Sequence, residues 1–185
     1  MAMNIQDCIN QAFRTAMEHG FHDEKASDEH WLMLVIGEVC EVMEAHRKGS
    51  TNEPKDTFEI RTNVWPDFNE RYDAYVKGSM AEELADMCIR IFDFMGVNGI
   101  SETELLSCTL TNDELSKCNE NYTFTEQAFE LIKCITQCWN EVIICHIVLE
   151  YAKYWANKFN IDLEWHIRTK MEYNRSRPMK HNKAY

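Results

Sequence analysis

Leu32 to Gly49, LMLVIGEVCEVMEAHRKG, is the stretch whose reading decides the fold. At about 100° per residue, one arc collects Leu34, Ala45, Val42, Val35, Val39, Ile36 and Met43. The stretch therefore reads as one amphipathic helix. Ser27 or Asp28 is its N-cap, and Gly49, followed by Pro54, closes it. Glu38 falls in the middle of the apolar arc, between Leu34 and Val42, and Glu41 falls at its edge. A Glu-x-x-Glu pair is ordinarily a solvated couple on a wet helix face. On the dry side an ionised carboxylate is costly unless it is paired or bound to metal. A cation site is the expectation.

On the N-terminal side, residues 3–19 carry Ile5, Cys8, Ile9, Ala12, Phe13, Ala16 and Met17 at helical spacing, with Gly20 as the C-cap. On the C-terminal side, TFEIRTNVWP reads as extended or loop chain. DFNERYDAYVKG then reads as a short helix bearing Phe68, Tyr72, Tyr75 and Val76, broken at Gly78. SMAEELADMCIRIFDFMGVNG is a clear helix, with Ser79 as N-cap and Glu82 at N3 in a capping box. Its polar stripe holds Glu82, Glu83, Asp86, Arg90 and Asp93. An Asp86–Arg90 pair on a solvated face accounts for part of this stripe. Four acids against one arginine still repel one another unless a cation joins them. Glu38 and Glu41 on one helix, with Glu83 and Asp86 on another, supply the oxygen ligands that hard divalent ions take.

Residues 101–121 are polar and poorly periodic, with Ser101 and Thr111 as caps of short helices. Thr123 to Asn160 is predicted to be continuously helical, with Phe124, Ala128, Leu131, Ile135, Cys138, Val142 and Leu149 on one face. After Val142 it is apolar nearly all round, which predicts burial between helices or against another subunit. The last element starts at Asp162 as N-cap and ends at Pro178. From His166 to Tyr185 it holds six Lys or Arg and one Glu. Lys170, Asn174 and Arg177 fall at i, i+4 and i+7, one face of one helix. Lysine and arginine together suit a polyphosphate.

The 185 residues, 45% hydrophobic with three Pro and six Gly, suit a single helix-rich domain with a proper core. A formal net charge of −12 argues against nucleic acid or an anionic membrane surface as partner. No run of 18 apolar residues occurs, and MAMNIQDC lacks the layout of a secretion signal. The eight cysteines include no CxxC pair and read as buried thiols in a reducing cytosol. A cytoplasmic location is expected. Cys134 and Cys138, one turn apart, are the only cysteines spaced for a pair.

Together these stretches resemble the MazG-type, all-α nucleoside triphosphate pyrophosphohydrolases. The family's ExxE and ExxD motifs match GEVCE and EELAD. The flanking EVMEAHRKG and ELADMCIRIFD are also similar, and KMEYNRSRPMKH is similar to the Lys- and Asn-bearing tail of phage and bacterial members. The resemblance covers about residues 4–100 and 161–185, and motif pair plus tail is far more specific than the pair alone. It implies one all-α domain over residues 1–185, in which residues 101–160 form a helical insertion. The gap between Glu41 and Glu83 is longer than is usual in the family.

The same resemblance implies hydrolysis of a nucleoside triphosphate to monophosphate and pyrophosphate. Glu38, Glu41, Glu83 and Asp86 would hold Mg2+, or Mn2+ in its place, with one Glu taking the proton of water. Glu82 and Asp93 would stand behind them. Lys170, Arg177 and Lys180 would grip phosphates and Asn174 would contact phosphate or sugar. It also implies a homodimer or higher homo-oligomer. Trp31 shares Glu38's face two turns earlier, about 10 Å along the axis, as either a core tryptophan or a contact for the base. Two rivals differ in kind. A di-iron carboxylate bundle needs Glu-x-x-His on two helices, and no Glu-x-x-His occurs in the chain. A catalytically inactive helical protein that binds nucleotides or a partner would keep the same surface but lack metal-dependent phosphate release.

Overall fold

The helix Met80–Asn98 buries residues on almost every side, among them Met80, Leu84, Met87, Ile91, Phe92 and Met95. Four of the other long helices pack around it. The computed structural model describes residues 4–110 and 121–182, with nine α-helices and no strand among them. In chain order they are α1 (Ile5–Glu18), α2 (Asp28–Arg47), α3 (Lys55–Ile60), α4 (Phe68–Tyr75), α5 (Met80–Asn98), α6 (Glu102–Ser107), α7 (Phe124–Gln137), α8 (Glu141–Lys158) and α9 (Leu163–Arg175). The protein is all-α, as its periodicity predicts. No helix among the described residues is long and apolar enough to cross a membrane.

Local chemistry sets most of the boundaries. The side chains of Ser27, Ser79 and Asp162 each accept from a backbone N–H of the first turn, so α2, α5 and α9 begin where capping residues place them. Ser101 and Glu104 form a reciprocal capping box at α6. The cap expected at Thr111 lies outside the described residues. Gly20 turns the chain at φ +75°, just past the end of α1. Gly96 serves packing rather than turning: a Cβ built on it would lie 2.5 Å from Cβ of Phe13, so its bare backbone lets α1 close on α5.

α2, α1, α8 and α9 all lie against α5, and one core cluster joins them to α7. Residues expected as an insertion are therefore built into the main core. The buried Trp155 of α8 donates from its indole N–H to Gln127 Oε1 of α7 at 2.9 Å, satisfying two polar groups inside that layer. The apolar circumference of α8 is covered by α5, α6, α7 and α9 of the same chain. Its composition therefore does not require a second subunit.

Two expectations are corrected. Thr123 to Asn160 is two helices rather than one. Cys138 is extended (φ −83°, ψ 137°) and Asn140 caps α8 by accepting from Ile143 N–H. The apolar pattern continues across the break because both helices face the same core. TFEIRTNVWP is not extended chain: its first residues lie in α3, and Arg61–Asn63 add a 3-10 turn. Phe58 of α3 is buried with Tyr72, Val76 and Tyr173 in a small second core, and Tyr72 stacks on Tyr173 at 4.2 Å between ring centres. The long gap between Glu41 and Glu83 thus clamps α9 against the end of α5. Cys134 and Cys138 form no disulfide with each other.

Candidate functional site

Between α1, α2, α5 and α9 lies a cleft of about 350 Å3. Glu38 enters it from α2, and Glu83 and Asp86 enter from consecutive turns of α5. One carboxylate oxygen from each comes within 4.8 Å of the other two. Glu41 also lines the cleft, but it is exposed and stands outside that trio. The helix α2 presents Glu38 inward because Val35, Val39 and Val42 beside it are fully buried against the core.

The three acids differ in how their charge is met. Glu38 accepts from Arg90 Nε at 3.0 Å. Burial, and then the charge of Asp86, push the Glu38 carboxyl up to about 7 in spite of that arginine. The Asp86–Arg90 pair suggested by their i,i+4 spacing gives way to this bond across helices. Glu83 has no ion pair among the described residues. Burial, followed by the charges of Glu82, Asp86 and Glu41, raises its carboxyl to about 9. Asp86 is met by Lys170, whose Nζ lies 2.7 Å from Asp86 Oδ2 and also bonds Glu82 Oε1.

Lys170 is thus placed differently from an open phosphate grip. It is 4% exposed, and its ammonium is already shared by two acids. Burial alone would lower its pKa; Asp86 and Glu82 outweigh burial and hold it above the ordinary lysine value. Glu82 is buried behind the cleft, and its second oxygen accepts from Gly78 N–H. Ser79 does accept from Glu82 N–H, but the Glu82 side chain completes no bond back to the cap. It reaches the preceding glycine and Lys170 instead.

Asn174 is 8% exposed on the cleft wall, and its buried Oδ1 has no hydrogen-bond partner. Arg177 lines the cleft as expected, although it lies beyond the end of α9 in the following strap rather than on its face. Asp93 is buried at the cleft and lies 2.8 Å from His22 Nε2. Nothing in the sequence marks His22, which sits in the unpatterned loop after Gly20. Seven of the nine expected site residues therefore line one cleft.

Trp31 and Lys180 do not. They line an adjoining hollow of about 320 Å3, with Ser27 and His30. Trp31 is 6% exposed and packs against His22 and His30, with ring centres 4.7 and 5.0 Å away. It is a core residue that reaches the hollow.

The donor set suits a hard divalent cation: three converging carboxylates, one of them without a cation of its own. Glu38, Glu83 and Asp86 could hold such an ion, with Glu41 within reach from the rim. No family model, no curated protein and no solved structure matches the chain.

Proposed function

We infer that the protein is a Mg2+-dependent nucleoside triphosphate pyrophosphohydrolase that cleaves between the α and β phosphates. One observation carries this reading. Three carboxylates converge in a cleft that is also lined by a buried asparagine with an unpartnered oxygen and by Arg177. The acids suit a cation, and the arginine suits the phosphates that such a cation accompanies. The MazG-like resemblance rests on the residues themselves and adds to that chemistry.

Glu38, Glu83 and Asp86 would hold the ion, whose Lewis acidity would polarise phosphate oxygens and acidify water when bound. Lys170 holds Asp86 and Glu82 in place through its ammonium, so one ligand is oriented before substrate arrives. Arg177 is the cation to meet phosphate oxygens, because the other cations lining the cleft, Lys77, Arg90 and Lys170, are each paired with an acid and Arg177 has no ion pair among the described residues. Glu41, exposed at the rim and outside the trio that would hold the ion, is the candidate to take a proton from water. Asn174 Oδ1 is an acceptor, so it calls for a donor such as a sugar hydroxyl or a water rather than a phosphate oxygen.

The reading is tested by incubating ribo- and deoxyribonucleoside triphosphates with the protein and Mg2+, then adding chelator. Pyrophosphate release that stops on chelation supports it. Nucleotide binding with no turnover anywhere in the panel would favour the inactive binding protein instead.

A further inference from the structure

The acid cleft does not end at the acids. Phe21 lines both it and the second hollow. Two separate parts of the chain carry one residue to each, and a loop residue bridges their walls. On α2, Glu38 serves the cleft and Trp31 the hollow, two helical turns or about 10 Å apart along the axis. In the strap after α9, Arg177 serves the cleft and Lys180 the hollow. Across the loop after α1, His22 stands between Asp93 of the cleft and Trp31 of the hollow. Two adjoining depressions joined at so many points form one elongated site.

The strap is held in place at some cost. His19 Nε2 lies 2.9 Å from the carbonyl oxygen of Arg177, and Lys180 N–H donates to His19 O at 2.8 Å. Lys180 adopts φ +47°, a left-handed conformation that a non-glycine residue rarely takes. This pinning is what sets one cation at each depression.

We propose that the hollow bounded by Phe21, His30, Trp31 and Lys180 receives the nucleoside of the substrate whose phosphates lie in the acid cleft. The proposal rests on the hydrolase reading for the phosphate end and adds the site of recognition. Aromatic rings suit a nucleobase because every base has a π face. His30 is exposed, and Trp31 packs its ring edge to face with it, so the exposed imidazole is backed by a buried indole. An inorganic polyphosphate would fill only the cleft.

The test compares binding of inorganic tripolyphosphate and of non-hydrolysable α,β-imido nucleoside triphosphates, all with Mg2+, by calorimetry. The parent protein is set beside His30→Ala and Trp31→Phe, each checked for an unchanged melting curve. The expected result is that the preferred nucleotide binds about tenfold or more tighter than tripolyphosphate. The variants should lose that advantage and keep their affinity for tripolyphosphate. Equal affinity for the two ligands, equal weakening of both in the variants, or binding of neither would overturn the proposal. His30-dependent nucleotide binding with no hydrolysis of any natural nucleotide would instead sink the hydrolase reading and leave the hollow standing.

Discussion

Lys170 Nζ lies 2.7 Å from Asp86 Oδ2, joining the tail helix to the helix of the acids. The ammonium also bonds Glu82, so one buried cation is shared by two buried or half-buried carboxylates. Breaking such a group by removing one member costs about 3–5 kcal/mol, because the others are left without compensation. Lys170→Met is therefore expected to destabilise the metal-free protein by about that much in urea titration. Adding Glu82→Gln should recover part of the loss. A Lys170→Met variant as stable as the parent would show that the shared ammonium contributes nothing.

Glu83 behaves oppositely, because it has no ion pair among the described residues. Its value of about 9 stands above the ordinary 4.5, so the fold favours the protonated acid. That contribution to stability is complete below about pH 4.5 and is lost as pH rises toward 9. Glu83→Gln should therefore leave the metal-free melting temperature equal or higher, and flatten its fall between about pH 6 and 9. Mg2+ should raise the parent's melting temperature more as pH rises, since ligation needs the proton gone. In Glu83→Gln that rise should shrink. A destabilised variant with an undiminished Mg2+ response would remove Glu83 from the ligands.

The sequence suggests that neutralising any of these acids relieves repulsion. The structure limits that to Glu83 and Glu38, since burial outweighs Arg90 and holds the Glu38 carboxyl at about 7, whereas Asp86 is met by the ammonium of Lys170. Asp86→Asn should cost stability with or without metal, and melting curves beside those of Glu83→Gln distinguish the two cases.

Away from the cleft, Glu53 holds the start of α9. It lies 2.6 Å from His166 Nε2 and accepts from Asp162 N–H at 2.7 Å and Lys55 N–H at 2.8 Å. Burial would raise its pKa, but these bonds outweigh burial and hold it below the usual glutamate value. The sign is the reverse of Glu83: the stability is present above about pH 4.5 and is lost as pH falls through the lower folded value. Glu53→Gln should cost about 1.5–3 kcal/mol near neutrality. The difference from the parent should narrow as pH falls below about 4.5. A constant difference below that pH would rule out the carboxylate's charge as the cause.

Gly96→Ala sets two effects against each other. Alanine is the better helix former by about 1 kcal/mol. Its Cβ would stand 2.5 Å from Cβ and 2.7 Å from Cγ of Phe13, where the side chain cannot simply swing away. Overpacking of this kind costs about 1–3 kcal/mol, so a net loss is expected. A stabilised variant in thermal melting would mean that α1 and α5 separate freely.

Helix positions were legible where capping chemistry and periodicity agreed, as at Ser27, Ser79 and Asp162. The break at Cys138–Asn140 was hidden because periodicity reports burial, and both flanking helices are buried on one side. Asn140 followed by Glu141 was the local signal available, an N-cap with an acid in the first turn. The positions of Glu38, Glu83 and Asp86 on helices were legible from spacing, and so was their need for positive charge. That Lys170 supplies part of it was not: the two residues are far apart in sequence, and side-chain reach between helices leaves no periodic trace. The hollow around His30 was equally hidden, since its walls come from a loop, a helix start and the C-terminal strap.

The central claim is cleavage between the α and β phosphates by an acid cluster that holds Mg2+. Phosphorus NMR of a nucleoside triphosphate during turnover with Mg2+ tests it most directly. The expected result is equal appearance of nucleoside monophosphate and pyrophosphate, absent with chelator and absent in Glu83→Gln. Nucleoside diphosphate with orthophosphate, or unchanged turnover in Glu83→Gln, would contradict it.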